Sequence, residues 1–350
     1  MNPIQVDLGS DTATRPGPEM RKAMAEAEVG DEQRREDPTV NRLEERIAAL
    51  VGQPAAVFVP SASMANEIAF KVHVRPGEEI VLDRWSHPAT FEGGGPAALS
   101  GASLFLLDTP RGIYTAADVE RAIRPDDPHF ARTRLVSIEQ TTNMGGGTVW
   151  PLEQMRKVVE CARSHGLLAH LDGARLFNAQ AASGVSAATY GAMFDSVTIC
   201  FSKGLGAPVG AVVCGSQEFA YHARRFKHLF GGAMRQAGFL AAACLYGLEH
   251  NVERLADDHA HARRLADGLR EIPGIVLDPA DVPSNMVFLR VEGIGHSPSS
   301  FCAALLEHGV RMVSSGGGRV RAVTHLDVDA RGIDRALAAV REVAKPGARA

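Results

Sequence analysis

With 350 residues, 45% of them apolar and 22% charged, and a formal net charge of −4, the chain has the composition of an ordinary soluble globular protein. At roughly 150 residues per domain its length predicts two domains, and its charge balance gives no basis for nucleic-acid binding. No apolar run reaches the roughly 18 residues that cross a bilayer, and "MNPIQVDLGSDT" has no basic and apolar leader.

The five cysteines, Cys161, Cys200, Cys214, Cys244 and Cys302, are scattered and form no CxxC pair. They predict reduced, mostly buried thiols and a cytoplasmic protein. His259 and His261 are two apart, so on a helix they face different ways, and no metal site is expected.

In chain order, short apolar runs alternate with amphipathic ones between 54 and 250, the pattern of a mostly parallel sheet covered by helices. The first strand, "AAVFVP", passes into a helix start at Ser61, Ala62, Ser63 and Met64. Free backbone N–H groups and the positive helix end favour an anion there, although a serine-rich start also serves as a plain N-cap. The second strand, "EIVLD", precedes His87 in "DRWSHPATFEGGG". That histidine can stack on an aromatic ring or exchange protons; otherwise it is a surface loop residue.

The strands "SLFLLD" and "RLVSIEQ" follow. Next comes the helix "PLEQMRKVVECARSHG", with Pro151 at its first position, Met155, Val158, Val159 and Ala162 on its apolar face, and Gly166 as its stop. The strand "LLAHLD" ends in Asp172, with Arg175 three residues on, and "SVTICF" leads into Lys203. Ligands in parallel α/β sheets bind at the carboxyl ends of strands, so an acid and an amine are expected at one sheet edge.

A lysine among apolar neighbours is easier to deprotonate and can form an imine. Pyridoxal 5'-phosphate needs that imine, a carboxylate facing its ring nitrogen and a cradle for its phosphate. Lys203, Asp172 and the 61–64 segment are candidates for the three, with helix capping the plain alternative for Asp172.

After the strand "GAVVCG" and a helical stretch over 241–272, the pattern changes to a smaller set of strands and helices. It runs through "PGIVLDP", "NMVFLRV", "SSFCAALLEHG" and "VRAVTHLDV" to the helix "RGIDRALAAVREVA". The predicted division is therefore 1–250, an arm and a large cofactor-binding domain, and 251–350, a smaller α+β domain. Arg321 in the second part is a candidate clamp for a carboxylate.

These residues together resemble the threonine aldolases. The match runs from "VDLGSDTATRP" through "HLDGARLFNA", "DSVTICFSKGLGAPVG" and "GGAMRQAG" to "NMVFLRV" and "VTHLDV". The resemblance implies the fold type I architecture of aspartate aminotransferase: a mostly parallel seven-stranded sheet in the large domain and a smaller α+β domain. It implies a lyase that cleaves a β-hydroxy-α-amino acid to glycine and an aldehyde. Racemisation or β-elimination on the same cofactor is the alternative, and so is an aldolase for a larger or acidic substrate.

The resemblance also implies that Lys203 joins pyridoxal phosphate, that Asp172 pairs with the ring nitrogen and that His87 stacks on the ring. Ala62 and Ser63 would cradle the phosphate, and Ser10, Arg175 and Arg321 would hold the substrate carboxylate. Arg235 would reach a phosphate across a subunit boundary, in a homodimer or a dimer of dimers with shared sites. His87 is the first candidate base, and a water positioned by Thr142 the second. The family pattern has Arg at Gly9, Tyr-Gly at Arg34-Arg35, Gly-Thr at Ala62-Ser63 and His at Thr142. The two arginines are expected to favour a larger or acidic β-substituent.

Overall fold

The computed structural model describes residues 3–345. A short first strand, β1 (Val6–Asp7), lies apart from the main sheet, which holds β2 (Ala55–Val59), β3 (Glu79–Asp83), β4 (Ser103–Leu107), β5 (Thr133–Glu139), β6 (Leu168–Gly173), β7 (Ser196–Cys200) and β8 (Ala211–Gly215). These are the seven runs expected from the sequence. Their order is β2-β8-β7-β6-β5-β3-β4, with β8 antiparallel to both neighbours and the other pairings parallel.

Every residue of β2, β3, β7 and β8 is buried, as follows when helices cover both faces and leave no polar side to alternate. The helix Pro38–Leu50 turns Val40, Leu43 and Ile47 inward, and its N-cap Asp37 accepts a hydrogen bond from the Val40 amide. The helix Leu152–Ser164 buries Met155, Val158, Val159 and Ala162, the four residues that its apolar periodicity selects. Pro151, expected at the first helical position, is instead the N-cap, because its ψ of 126° is extended.

Because β8 is antiparallel to both β2 and β7, those two strands run the same way. The carboxyl ends of β2, β3, β5, β6 and β7 therefore share one edge of the sheet. Each ends in, or is followed within four residues by, a candidate site residue: Ala62 and Ser63 after β2, His87 after β3, Thr142 after β5, Asp172 in β6 and Lys203 after β7.

The helical stretch after β8 is two helices, Gly238–His250 and Leu255–Arg270, broken where Asn251 donates its side-chain amide to the Leu205 carbonyl at 2.8 Å. Beyond them, β9 (Ile275–Leu277), β10 (Met286–Val291), β12 (Val313–Ser315) and β13 (Arg319–Val323) form an antiparallel sheet. A further strand, β11 (Val310–Arg311), pairs in parallel with β1. Val6 and Leu8 pack with Leu265, Leu289, Phe301 and Val320 in a second core, separate from the core around β5, β6 and β7. No helix among the described residues is long and apolar enough to cross a membrane.

Candidate active site

The edge of the main sheet gathers five titratable side chains. β6 delivers Asp172, which is buried; its Oδ1 accepts from the Ala174 amide at 3.1 Å and its Oδ2 from Asn66 Nδ2 at 2.9 Å. β5 ends at Glu139, in register with Asp172. Glu139 Oε1 accepts from the His87 amide at 3.2 Å and Oε2 from the Asn143 amide at 2.9 Å. Burial and then the neighbouring Asp172 charge push the Glu139 carboxyl up to about 7, against the pull of those donors.

His87 opens a short helix after β3, and its Nδ1 lies 2.8 Å from Glu92 Oε1. Burial alone would make the ring harder to protonate. The Glu92 hydrogen bond and the Asp172 charge outweigh it and raise the His87 pKa, while the Lys203 charge opposes them. The Glu92 carboxyl that contacts the ring is almost fully buried.

Lys203 stands three residues beyond β7 and is half-buried. Its carbonyl accepts from Thr14 Oγ1 at 3.0 Å and from the Gly206 amide at 2.8 Å, a turn that Gly206 completes at φ +79°. Among the described residues no hydrogen bond or ion pair engages its amine. Its charge is nonetheless felt by both Asp11 and His87.

Across the sheet edge, the helix Ala62–His73 begins directly after β2. Its N-cap, Ser61, accepts from the Met64 amide at 3.2 Å, which leaves the Ala62 and Ser63 amides open at the positive end of the helix. Neither side chain is large, so an anion can approach the backbone closely. The loop bearing Arg235 is nearby, since a Cβ on Gly232 would come within 2.3 Å of Met64 Sδ. Arg235 itself is exposed, and Nη1 donates to Asp31 Oδ2 at 2.9 Å.

The two candidate carboxylate clamps differ. Arg321, on β13, donates from Nη1 to Asn143 Oδ1 at 2.9 Å and from Nη2 to the Gly9 carbonyl at 3.2 Å; its buried Nε has no partner among the described residues. Burial and then the Arg175 charge make the Arg321 proton easier to lose. Two guanidinium charges that bear on each other, one with an orphaned donor, are an arrangement that can attract an anion. Arg175, however, is already engaged: Nε and Nη2 both donate to Asp11. Ser10 caps the turn Asp11–Ala13, where its Oγ accepts from the Thr12 amide at 3.2 Å.

Thr142 is enclosed rather than presented. It is buried, its hydroxyl has no partner among the described residues, and it lines a cavity of about 10 Å³ with Asp83, Ser86, Tyr114 and Glu139. Arg35 lies 3.9 Å from Glu44 and lines a cavity with Arg224 and Lys227 that includes none of the residues around Thr142.

Sequence reasoning passed over Asp11, Asn66, Glu92, Glu139 and His170. For Glu139 a signal existed, since the strand-end argument that selected Asp172 applies equally to the last residue of β5. Asn66 and Glu92 lie within helical or loop segments, where no spacing marks them.

The chain matches the family model described as "Beta-eliminating lyase" over residues 7–292. It is 41% identical to the low specificity L-threonine aldolase of Escherichia coli strain K12, an alignment that covers 92% of this chain and 94% of that one. Its fold superposes on the threonine aldolase of Leishmania major with a TM-score of 0.84 at 22% identity, covering 97% of this chain and 100% of the other. It also superposes on a serine palmitoyltransferase variant from S. paucimobilis with bound PLP-myriocin, with a TM-score of 0.74 at 19% identity, covering 96% and 86%. With most of its length matched by both the family model and a close relative, this chain belongs to the beta-eliminating lyase family, as a lyase of the threonine aldolase group.

Proposed function

We propose that the protein cleaves β-hydroxy-α-amino acids of the threonine and phenylserine type to glycine and an aldehyde, with pyridoxal 5'-phosphate as its cofactor. The observation that carries this reading is the convergence of Asp172, Lys203 and His87 at one sheet edge, close enough that the first two charges bear on the third.

The donor set fits the cofactor. The open Ala62 and Ser63 amides suit its phosphate, the unengaged Lys203 amine suits its aldehyde, and the buried Asp172 carboxylate suits its protonated ring nitrogen. His87 suits the face of the ring. When bound, the cofactor supplies the electron sink for the pair released from the Cα–Cβ bond.

The chain's own residues then set which bond breaks. Arg321 fixes the substrate carboxylate through its free Nε, with Ser10 beside it, and so fixes the substrate's rotation about Cα. Arg175 contributes charge while Asp11 occupies two of its nitrogens. His87 accepts the β-hydroxyl proton on Nε2, since Nδ1 is committed to Glu92, whose carboxylate stabilises the imidazolium that forms. Thr142, enclosed as it is, supports a water less well than His87 supports direct proton transfer.

The protein acts as a homo-oligomer, a dimer or a dimer of dimers, in which the exposed Arg235 side chain is available to a neighbouring subunit's phosphate. Its five cysteines are all free, in keeping with a cytoplasmic enzyme.

Incubation with threonine, allo-threonine, phenylserine and 3-hydroxyaspartate, with glycine and the aldehydes identified, tests the reading. Deuterium entering alanine with no aldehyde from any of the four would replace it with a racemase, and a clear preference for 3-hydroxyaspartate would assign an acidic substrate.

A further inference from the structure

We propose that Asn66 is a positioning residue whose single amide holds the carboxylates of Asp172 and Glu92 together and, through Glu92, fixes which nitrogen of His87 faces the substrate. The inference deepens the function proposed above and rests on it for the roles of Asp172 and His87.

Asn66 is buried on the helix Ala62–His73, and every part of its side-chain amide is engaged. Nδ2 donates to Asp172 Oδ2 and to Glu92 Oε1, both at 2.9 Å, and Oδ1 lies 3.2 Å from His170 Nε2. Ionised carboxylates only accept, so the NH2 group must face them and the oxygen must face His170. His170 Nε2 therefore carries a hydrogen.

Behind it the alternation continues. His170 Nδ1, left as an acceptor, lies 2.8 Å from Ser196 Oγ, which lies 2.8 Å from His73 Nε2. One direction of donation thus runs from His73 through Ser196, His170 and Asn66 to Asp172. Burial keeps both imidazoles neutral, moving His170 down to about 3 and His73 to about 4. A second proton on His170 would remove the acceptor that orients Ser196. The chain fixes the amide, and the amide fixes two carboxylates with opposite duties.

The charged and titratable groups around this amide come from five directions. β6 presents Asp172 and His170, the segment after β3 presents His87 and Glu92, β5 presents Glu139, and Lys203 follows β7. Asn66's own helix adds His73 and Glu67. Glu67 keeps its proton to about 9, through burial and then the Glu92 charge, so it presents a neutral carboxyl beside Glu92.

The test compares wild type, Asn66→Ala, Asn66→Asp and Ser196→Ala as full-length holoenzyme, by the pH profile of kcat/KM and by the 15N spectrum of histidine-labelled protein. In Asn66→Ala both carboxylates lose a donor that favours their charged form. His87 then holds its proton to higher pH, and the acid limb moves up by about one pH unit. kcat falls about a hundredfold, as for a misplaced catalytic group, with KM little changed. Asn66→Asp moves the limb the same way and further. Ser196→Ala touches neither carboxylate, yet it moves the limb upward by less and turns the His170 signal from a single Nε2–H tautomer into a mixture.

A wild-type acid limb and kcat in Asn66→Ala would overturn the proposal, as would a His170 that carries its proton on Nδ1 in the wild type. If Asn66→Ala does not fold, Ser196→Ala and the wild-type 15N spectrum decide. Absence of aldehyde from every substrate would sink the aldolase reading instead, and the 15N arm would still judge Asn66.

Discussion

Arg175 and Asp11 meet in two parallel hydrogen bonds of 2.7 Å each, Nε to Oδ2 and Nη2 to Oδ1, with the carboxylate wholly shielded from solvent. The pair ties the end of β6 to the segment after β1, and Asn285 Nδ2 adds a third contact to Asp11 at 3.3 Å. It therefore connects the carboxyl edge of the main sheet with the segment after β1, next to the second core.

Asp11→Ala leaves the Arg175 charge buried and unpaired, which costs about 3–5 kcal/mol of stability and is read by urea unfolding. Burial alone would raise the Asp11 carboxyl, but the Arg175 charge and hydrogen bonds overcome it and hold it well below the ordinary range. The group's contribution is then complete above about pH 3.9, its unfolded value, and is lost as the pH falls towards the depressed folded one. In Asp11→Ala the unfolding midpoint should vary less with pH in that acid window; an unchanged slope would remove Asp11 from the account.

Lys203→Ala should leave the fold intact and abolish the visible absorbance of protein supplied with pyridoxal phosphate. Cleavage should fall by about a thousandfold or more, as when a nucleophile that works together with its neighbours is removed. Borohydride treatment of the wild type should label the peptide that contains position 203. Label on any other lysine would move the site.

His87→Ala should lower kcat by about 10²–10⁴, the usual range for a general base, with much less effect on cofactor affinity. Glu92→Gln keeps the shape and removes the carboxylate whose hydrogen bond and charge, together with the Asp172 charge, raise the His87 pKa. The base is active when neutral, so the acid limb of kcat/KM should move to lower pH. An upward movement, or none, would separate Glu92 from the titration of His87.

Glu67 is nearly inaccessible, and the carboxyl proton it keeps is shared in a hydrogen bond with the neighbouring Glu92 carboxylate. Gly95 gives it room, since a Cβ there would come within 2.2 Å of Oε1. Burial and then Glu92 raise its pKa from 4.5 to about 9. The unfolded chain releases this proton above about pH 4.3 while the folded chain keeps it. Within that window Glu67 lowers stability by about 1.4 kcal/mol for every step of one in pH. Glu67→Gln should therefore gain stability relative to wild type at pH 8.5 and little at pH 5, as measured by urea unfolding at fixed protein concentration.

The order of elements, the seven strands of the main sheet and the placing of Asp172 and Lys203 near one sheet edge were legible in the chain itself. Apolar runs too short for helices announce strands buried on both faces, and the strand-end rule then locates the residues that follow them. The open helix start at Ala62 and Ser63 was legible for the same reason, because it depends on local backbone chemistry.

What the sequence left open were the partnerships between side chains distant along the chain. Asn66 meets Asp172 and Glu92, Arg175 spends its fork on Asp11, Thr142 turns into a small cavity, and β1 pairs with β11 from the far end of the chain. Local propensity and periodicity report only on near neighbours along the backbone. A buried hydrogen bond is selected instead by which donors and acceptors close packing leaves without water, and only the folded chain decides that.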